Sequence, residues 1–152
     1  MNNKGKIIAV CIGKKRKDPK KIVLGAIAIK DYGLKGDVHA GRDHKQVSIL
    51  SLDSFKKNKK EHPTLKYGDL CENLVVDGIR LYKFSIGTKI KIGKEVILGI
   101  TQVGKDHDVT LIRNKKPVES ILTSEGVFAS VLNGGTIMPM DTLEVLTEGT
   151  TA

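Results

Sequence analysis

Hydrophobic residues occur in short runs along this chain, and glycine separates most of the runs. Residues 6–12 and 22–29 are rich in β-branched side chains, which favour extended strands. A lysine-rich tract lies between these two runs and predicts the connection of a hairpin. The same pattern predicts further strands at residues 47–50, 74–76, 89–92, 96–103, 127–132 and 142–146.

Two segments leave room for helices. The first begins at Ser51, whose side chain can cap a helix, and Asp53 suits the positive N-terminal end. Lysines follow near the C-terminal end of this segment, and Pro63 predicts where the helix stops. The second segment covers residues 117–122.

The pattern therefore predicts a mostly β fold, namely a closed or nearly closed β-barrel of short strands with a few short helices. Closure removes the exposed edges that seven or more short strands would otherwise leave. No internal repeat, low-complexity linker or break in composition divides the chain. We therefore expect a single domain over residues 1–152, with its core at about 7–146 and a frayed tail at 148–152.

The charge of the chain is strongly positive. Its 152 residues include 26 lysines and arginines against 17 acidic residues, which gives a net charge of +9 and suggests an anionic partner. Much of the excess lies in two lysine-rich tracts, at residues 14–21 and 56–60, where solvated loops and helix ends are expected. Six aromatic residues without a tryptophan offer few surfaces for base stacking, so the sequence does not favour nucleic-acid binding.

The remaining composition narrows the setting. No run approaches the ~18 apolar residues of a membrane span, and the first run is too short for a signal peptide. We therefore expect a cytoplasmic protein with no membrane association. Cys11 and Cys71 are far apart and form no CxxC pair, so neither a disulfide framework nor a thiolate zinc site is indicated. Buried, reduced thiols are the simplest interpretation of both.

The densest group of polar residues lies in the glycine-flexed segment 36–48, which runs directly into a strand. Loops carried on a rigid barrel commonly hold binding groups. Asp37, His39, Asp43 and His44 are all possible metal donors, but their spacing matches no established zinc pattern. A surface loop with hydrogen-bonded acids and histidines is the structural alternative.

This segment is the first of five sequence blocks that occur in a characteristic order. It carries Gly-Asp-x-His-x-Gly at residues 36–41 and is followed by blocks at residues 46–51, 67–74, 86–93 and 126–135. Together the five blocks resemble the MOSC family, which comprises the C-terminal domain of molybdenum cofactor sulfurases and its stand-alone relatives. The resemblance extends over nearly the whole chain, from about Ile7 to Leu146.

The resemblance implies a barrel-like fold that binds molybdenum cofactor (molybdopterin) or a related sulfur-carrying species. It further implies a role in cofactor biosynthesis, delivery, or cofactor-dependent reduction of N-hydroxylated compounds, with cofactor biosynthesis proteins as possible partners. The residues expected to border the pocket are Asp37, His39, Glu72, Asn73, Gly126 and Phe128. The candidate phosphate contacts, chosen on charge, are Arg42, Lys45 and Arg113. We expect no pyridoxal-phosphate domain in this chain.

One position departs from the family pattern. Family members with cofactor-dependent activity carry a cysteine shortly after the strand that here ends near Gly104, whereas this chain has Asp106 there. A carboxylate cannot form a persulfide, so this alignment excludes sulfur transfer at Asp106. His107, between two aspartates, is a candidate acid–base group, and an exposed turn is the structural alternative.

Three interpretations of this departure stay open. Asp106 ligates molybdenum through oxygen, or Cys71 supplies the thiol, or the domain binds the cofactor without chemistry. Because adjacent strand residues point to opposite faces, a pocket-facing Glu72 would turn Cys71 toward the core. The alternative function is a non-catalytic barrel that binds an anion or a partner protein and has lost the cysteine chemistry.

Overall fold

The fold was analysed in a computed structural model that describes residues 2–16, 18–104 and 125–149, together with two strands at 110–113 and 116–119. The strands are β1 (Lys4–Ile12), β2 (Lys21–Val23), β3 (Ala26–Ile29), β4 (Gly33–Leu34), β5 (Val47–Ser51), β6 (Leu74–Asp77), β7 (Lys89–Ile92), β8 (Val96–Val103), β9 (Thr110–Arg113), β10 (Lys116–Glu119), β11 (Val127–Asn133), β12 (Gly135–Ile137) and β13 (Thr142–Thr147). The helix α1 (Leu52–Glu61) follows β5, and a 3-10 turn covers Leu81–Lys83.

Seven strands form a closed barrel, as the sequence predicts. Their order around the wall is β13, β7, β8, β11, β5, β6 and β1, and β1 pairs again with β13 to complete the circle. Six of these seven pairings are antiparallel, while β5 and β6 run parallel. The parallel pair is connected by α1 and the loop that follows it. Closure leaves β2 as the outer strand attached to β1.

The first strand closes the barrel because β6 and β13 pair with its two edges. Lys6 pairs with both Thr142 of β13 and Asp77 of β6, so these two strands lie on opposite edges of β1. Further along, β2 replaces β13 on the same edge, with Val10 opposite Val23. A register shift between Ile7 and Ala9 accompanies this change of neighbour.

Alternating side chains fill the barrel interior. On β11, Val127, Ala129 and Val131 point inward, whereas Phe128 points to the outer wall and is also buried. The interior is built from branched aliphatic residues that are almost completely excluded from water. The largest of them are Ile7, Leu34, Ile49, Leu74, Ile90, Ile92, Leu98 and Ile100.

The helix covers part of the outer wall. Its N-cap is Ser51, whose hydroxyl accepts a hydrogen bond from the backbone N–H of Ser54 at 3.3 Å, as the sequence predicts. Phe55 on the helix packs with Leu50, Leu65 and Leu70 in a second apolar cluster outside the barrel. In the part of the chain that the structure describes, no helix has the length and apolarity needed to cross a membrane.

Two predicted elements differ from the structure. The predicted strand at 22–29 is two strands, because the chain leaves β1 after Val23 and joins a separate three-stranded sheet of β12, β3 and β4. The predicted helix at 117–122 is wrong, since Lys116–Glu119 form β10 in antiparallel pairing with β9. The sequence pattern does not predict the short strands β4, β9 and β12, which lie outside the apolar runs assigned to strands.

The closure point is tightly packed and leaves no room for a side chain at Gly5. A Cβ atom there would lie 2.7 Å from Ile79 Cγ2 and 2.5 Å from the carbonyl oxygen of Asp77. We expect Gly5→Val to lower the free energy of unfolding by about 1–3 kcal/mol, because overpacking would push β1 from β6. Urea unfolding measures the effect. The exposed neighbour provides the control, and Lys4→Val losing as much stability would contradict this account.

Candidate functional site

A buried ion pair lies at one end of the barrel, where three loops meet. Lys20 Nζ is 2.8 Å from Asp37 Oδ1, and both side chains are almost fully buried, with 1% and 0% exposed. The same carboxylate accepts hydrogen bonds from the backbone N–H of Gly13 and of His39, each at 2.9 Å. Asp37 therefore ties the end of β1, the β1–β2 hairpin and the loop 35–46 to one another.

The imidazole of His39 completes this cluster. Its Nδ1 lies 3.1 Å from Lys20 Nζ and 3.3 Å from Asp37 Oδ2. This nitrogen accepts from the ammonium or donates to the carboxylate, depending on the tautomer. Because His39 is partly exposed, it is the member of the cluster that solvent can reach.

The electrostatics of the cluster favour a charged Asp37 and a neutral His39. Burial works to raise the pKa of Asp37, but hydrogen bonds from His39, Lys20 and Gly13 outweigh it and hold that pKa well below its usual range. For His39, burial lowers the pKa, and the positive charge of Lys20 lowers it further. The hydrogen bond to Asp37 and its negative charge act in the opposite direction but do not outweigh these effects. The cluster is therefore a neutral imidazole above a salt bridge at neutral pH.

The loop beside this cluster carries two of the candidate phosphate contacts. Residues 41–45, which include Arg42 and Lys45, line a surface cavity of about 370 Å³. Lys45 Nζ lies 5.7 Å from the centre of the Phe128 ring, within the range of a cation–π contact. Gln46 anchors the loop to the barrel, since its Oε1 accepts from the backbone N–H of Val131 at 3.0 Å.

Asn73 joins the parallel strands of the outer wall. Its Oδ1 accepts from the Ser48 backbone N–H at 3.0 Å and from the Ser48 hydroxyl at 3.2 Å. Its Nδ2 donates to the carbonyl oxygen of Cys11 at 3.0 Å. Ser48 in turn pairs with Phe128 of β11, which pairs with Gln102 of β8. Four side chains from neighbouring strands, Asn73, Ser48, Phe128 and Gln102, therefore form a buried row on the outside of the barrel.

Glu72 is a fully buried carboxyl group with an incomplete set of partners. Its Oε1 accepts from the backbone N–H of Leu70 at 3.1 Å, whereas Oε2 has no hydrogen-bond partner among the described residues. Burial raises its pKa to about 7, against the lowering effect of backbone hydrogen bonds. Glu72 therefore holds its proton to a higher pH than an exposed glutamate does.

Both cysteines are buried and form no disulfide. Burial raises the pKa of Cys11 to about 12, and the nearby Glu72 adds to the effect, so its thiol is protonated at neutral pH. Cys71 donates from Sγ to the carbonyl oxygen of Asp18 at 3.2 Å and has a positive φ of 66°. Strand alternation does not separate Cys71 from Glu72, because both precede β6 and both are buried.

The other predicted site residues lie elsewhere or outside the description. Gly126 is buried at the start of β11, and its carbonyl oxygen accepts from the backbone N–H of Gly104 at 2.7 Å. Arg113 ends strand β9, of which the structure describes the backbone only. Asp106 and His107 lie outside the described residues. No group of three or more His, Cys, Asp or Glu side chains that could hold a metal occurs within the described ranges.

Sequence reasoning missed Lys20, the residue that organises the loop junction. It belongs to a lysine-rich tract that was assigned to solvent. Its neighbour Lys21 is exposed, and nothing in the composition of the tract distinguishes the two. The one available signal is position, because Lys20 precedes β2 directly and the hairpin geometry turns its side chain inward.

The comparisons with known proteins agree with this architecture. Residues 36–144 match the family model of the MOSC domain, which is more than half of the chain. The chain therefore belongs to the MOSC family. No significant match is found among curated protein sequences.

Solved structures show the same fold. The YuaD protein of Bacillus subtilis matches with a TM-score of 0.72 at 16% identity, over 97% of this chain and 97% of that one. YiiM of Escherichia coli matches with a TM-score of 0.66 at 15% identity, over 99% of this chain and 73% of the other. YiiM of Geobacillus stearothermophilus gives a TM-score of 0.65 at 15% identity, over 94% and 75% of the two chains.

The buried cluster makes a direct prediction for Lys20→Met. This change leaves the Asp37 carboxylate buried without its cation, so we expect a loss of about 3–5 kcal/mol of stability in urea unfolding. The pKa of His39 should rise, because the ammonium beside the ring is gone while Asp37 stays, and an NMR titration measures it. Lys21→Met is the matched control on the exposed neighbour. An unchanged His39 pKa in a folded Lys20→Met protein would refute the electrostatic account.

Glu72 predicts a pH dependence of stability. The carboxyl group ionises near pH 4.5 in the unfolded chain and near pH 7 in the folded one, so the folded state holds the proton more tightly. Its contribution to stability therefore falls as pH rises through this window, by about 3 kcal/mol. In Glu72→Gln this loss should disappear from urea unfolding measured at several pH values. Glu61→Gln, on the exposed end of α1, should keep the wild-type profile.

Proposed function

We propose that this MOSC domain binds molybdenum cofactor, or its pterin precursor, at the end of the barrel formed by the loops 13–20 and 35–46. The observation that carries the proposal is the cavity lined by residues 41–45, which brings Arg42 and Lys45 to one opening. The proposed role is in biosynthesis, delivery or use of the cofactor, including reduction of N-hydroxylated compounds.

The donor set suits the phosphate end of such a ligand. A guanidinium group can hold a phosphate through two parallel N–H bonds, and an ammonium group adds a mobile point charge. The Lys45 contact with Phe128 orients the lysine from the barrel side. His39, on the solvent-facing side of the neighbouring ion pair, is neutral and adds a polar group without a charge.

The described residues offer few candidate ligands for the molybdenum of the cofactor. Cys11 is buried and protonated at neutral pH, so it is unsuited to ligate a metal. Asp106, at the position of the family's cysteine, is the proposed oxygen ligand, and His107 is the proposed acid–base group next to it. When bound, the cofactor supplies the redox chemistry, while this chain binds, orients and shields it.

A second function is favoured because the polar groups near the site already have hydrogen-bond partners within the protein. Asp37 already accepts from Lys20, Gly13 and His39, and both thiols are buried, so few described groups are left for chemistry. This arrangement favours a non-catalytic barrel that binds an anionic molecule at the same cations. Asp106 is needed for the first function as a metal ligand, whereas the second function does not require it.

Arg42→Ala tests the binding site. We expect about ten- to hundredfold weaker cofactor binding, because one charge-assisted contact to phosphate is lost. The protein is purified from a host that makes the cofactor, and molybdenum content and the fluorescence of oxidised pterin are measured. Arg80→Ala is the matched control, since Arg80 is an exposed arginine paired with Asp53 outside the cavity.

The outcomes separate the two functions. Wild-type protein that carries neither metal nor pterin, and does not take up added cofactor, would overturn cofactor binding. Asp106→Ala that loses molybdenum but keeps pterin favours the ligand role of Asp106. Asp106→Ala without effect, together with a salt-sensitive loss in Arg42→Ala, favours the non-catalytic barrel.

A further inference from the structure

An exposed apolar surface lies on and between β2 and β3 and directly after β12. We call it the β2–β3 face and define it by Ile22, Leu24, Ile27, Ile29 and Met138. All five side chains are exposed, and Leu24 has 89% of its surface open to solvent. Contiguous exposed apolar residues of this size mark interaction surfaces more often than scattered single residues do.

The register of β3 makes this surface a specified feature of the fold. The strand reads Ala-Ile-Ala-Ile, and Ala26 and Ala28 pack into the barrel core while Ile27 and Ile29 face outward. A sheet with one solvated face normally carries its large apolar residues inside and polar residues outside. On β3 the small alanines face the core and the large isoleucines face solvent. A shift of the strand register by one residue would bury the isoleucines instead.

Three of these exposed residues, Leu24, Ile27 and Met138, line a groove. It has a volume of about 570 Å³ and runs between the bend at Leu24 and Gly25 and the strand β12. Met138 contacts Gly25 closely at its side, where a larger residue than glycine would collide with the Met138 sulfur. The lining residues are Ile12, Val23, Leu24, Gly25, Ala26, Ile27, Lys35, Thr136 and Met138.

A strand edge lies beside the groove. Among the described strands, β2 pairs with β1 alone. The loop at Gly68 accepts from the Lys20 backbone N–H at 2.8 Å, so within the described ranges the other edge of β2 has no strand partner from Ile22 onward. An open edge presents backbone N–H and C=O groups that an extended segment of another chain can pair with. The groove and the edge together suit an extended peptide whose alternate side chains enter the groove.

The segment that carries this face, residues 13–35, is positively charged, and Lys35 lines the groove itself. Across residues 13–35, the exposed cations that the structure describes are Lys14, Lys15, Arg16, Lys21, Lys30 and Lys35. The exposed acids in the same described residues are Asp18 and Asp31. An occupant that combines apolar side chains with carboxylates would therefore match the face in both polarity and charge.

We propose that the β2–β3 face is a docking site for an acidic, extended segment of a partner protein. The segment adds as a strand along the edge of β2, places apolar side chains in the groove and directs its carboxylates to the surrounding lysines. A second copy of this chain fits less well, because two such segments would bring like charges together. The open backbone edge favours a protein segment over an anionic membrane, which has no groups to pair with a strand.

The test uses the full chain and a short fluorescein-labelled peptide that alternates glutamate with valine. We expect saturable binding in fluorescence anisotropy, and weaker binding as salt is added. Leu24→Gln should weaken it about tenfold through the loss of one buried apolar contact. Leu24 is nearly fully exposed, so this variant should fold normally. Ile86→Gln changes an exposed isoleucine outside the face and should bind as wild type does.

Three further measurements can contradict the proposal. A peptide with lysine in place of glutamate should not bind, and equal binding would overturn the charge argument. Sedimentation with vesicles containing phosphatidylserine, together with failure of the acidic peptide, would assign the face to a membrane. Analytical ultracentrifugation that shows a dimer lost in Leu24→Gln would assign it to a second copy. Absence of binding to the acidic peptide overturns the proposal in every case.

Discussion

The fold depends on one shared strand edge, the edge of β1 that pairs first with β13 and then with β2. Because Lys6 pairs across both edges of β1, the strands β6 and β13 are held on opposite sides of this one strand. Where β13 ends, β2 takes its place and leads the chain out of the barrel toward β3. This exchange creates both the loop junction around Asp37 and the open edge beside the β2–β3 face.

The Lys20–Asp37 pair shows how the loop junction is maintained. A buried ion pair alone contributes little net stability, since desolvation offsets most of the attraction. Its value here is geometric, because the Asp37 carboxylate also accepts from the backbone of Gly13 and His39. The neighbouring loop of Arg42 and Lys45 thereby starts from a fixed position, while both cations are partly exposed.

The sequence predicts most of the barrel and little of the site geometry. Strands β7 and β8 have the predicted bounds, because β7 alternates between more exposed and buried positions and β8 is a mostly apolar run that ends before Gly104. The break at Leu24 and Gly25 was not predicted, since a run of apolar residues looks the same whether it serves one sheet or two. The burial of Lys20 and the neighbouring burial of Cys71 and Glu72 depend on contacts with distant loops. No local pattern encodes them.

The pairing of Lys6 with Thr142 also has a consequence for folding. Contacts between residues so far apart in sequence form slowly, because the loop between them must be ordered first. During synthesis at ~5–20 residues per second, β1 is made roughly ten seconds before its partner β13. During that time β1 lacks its partner β13, so its free edge can pair with an incorrect strand. The barrel can close only after β13 has been made, because β13 pairs with β1.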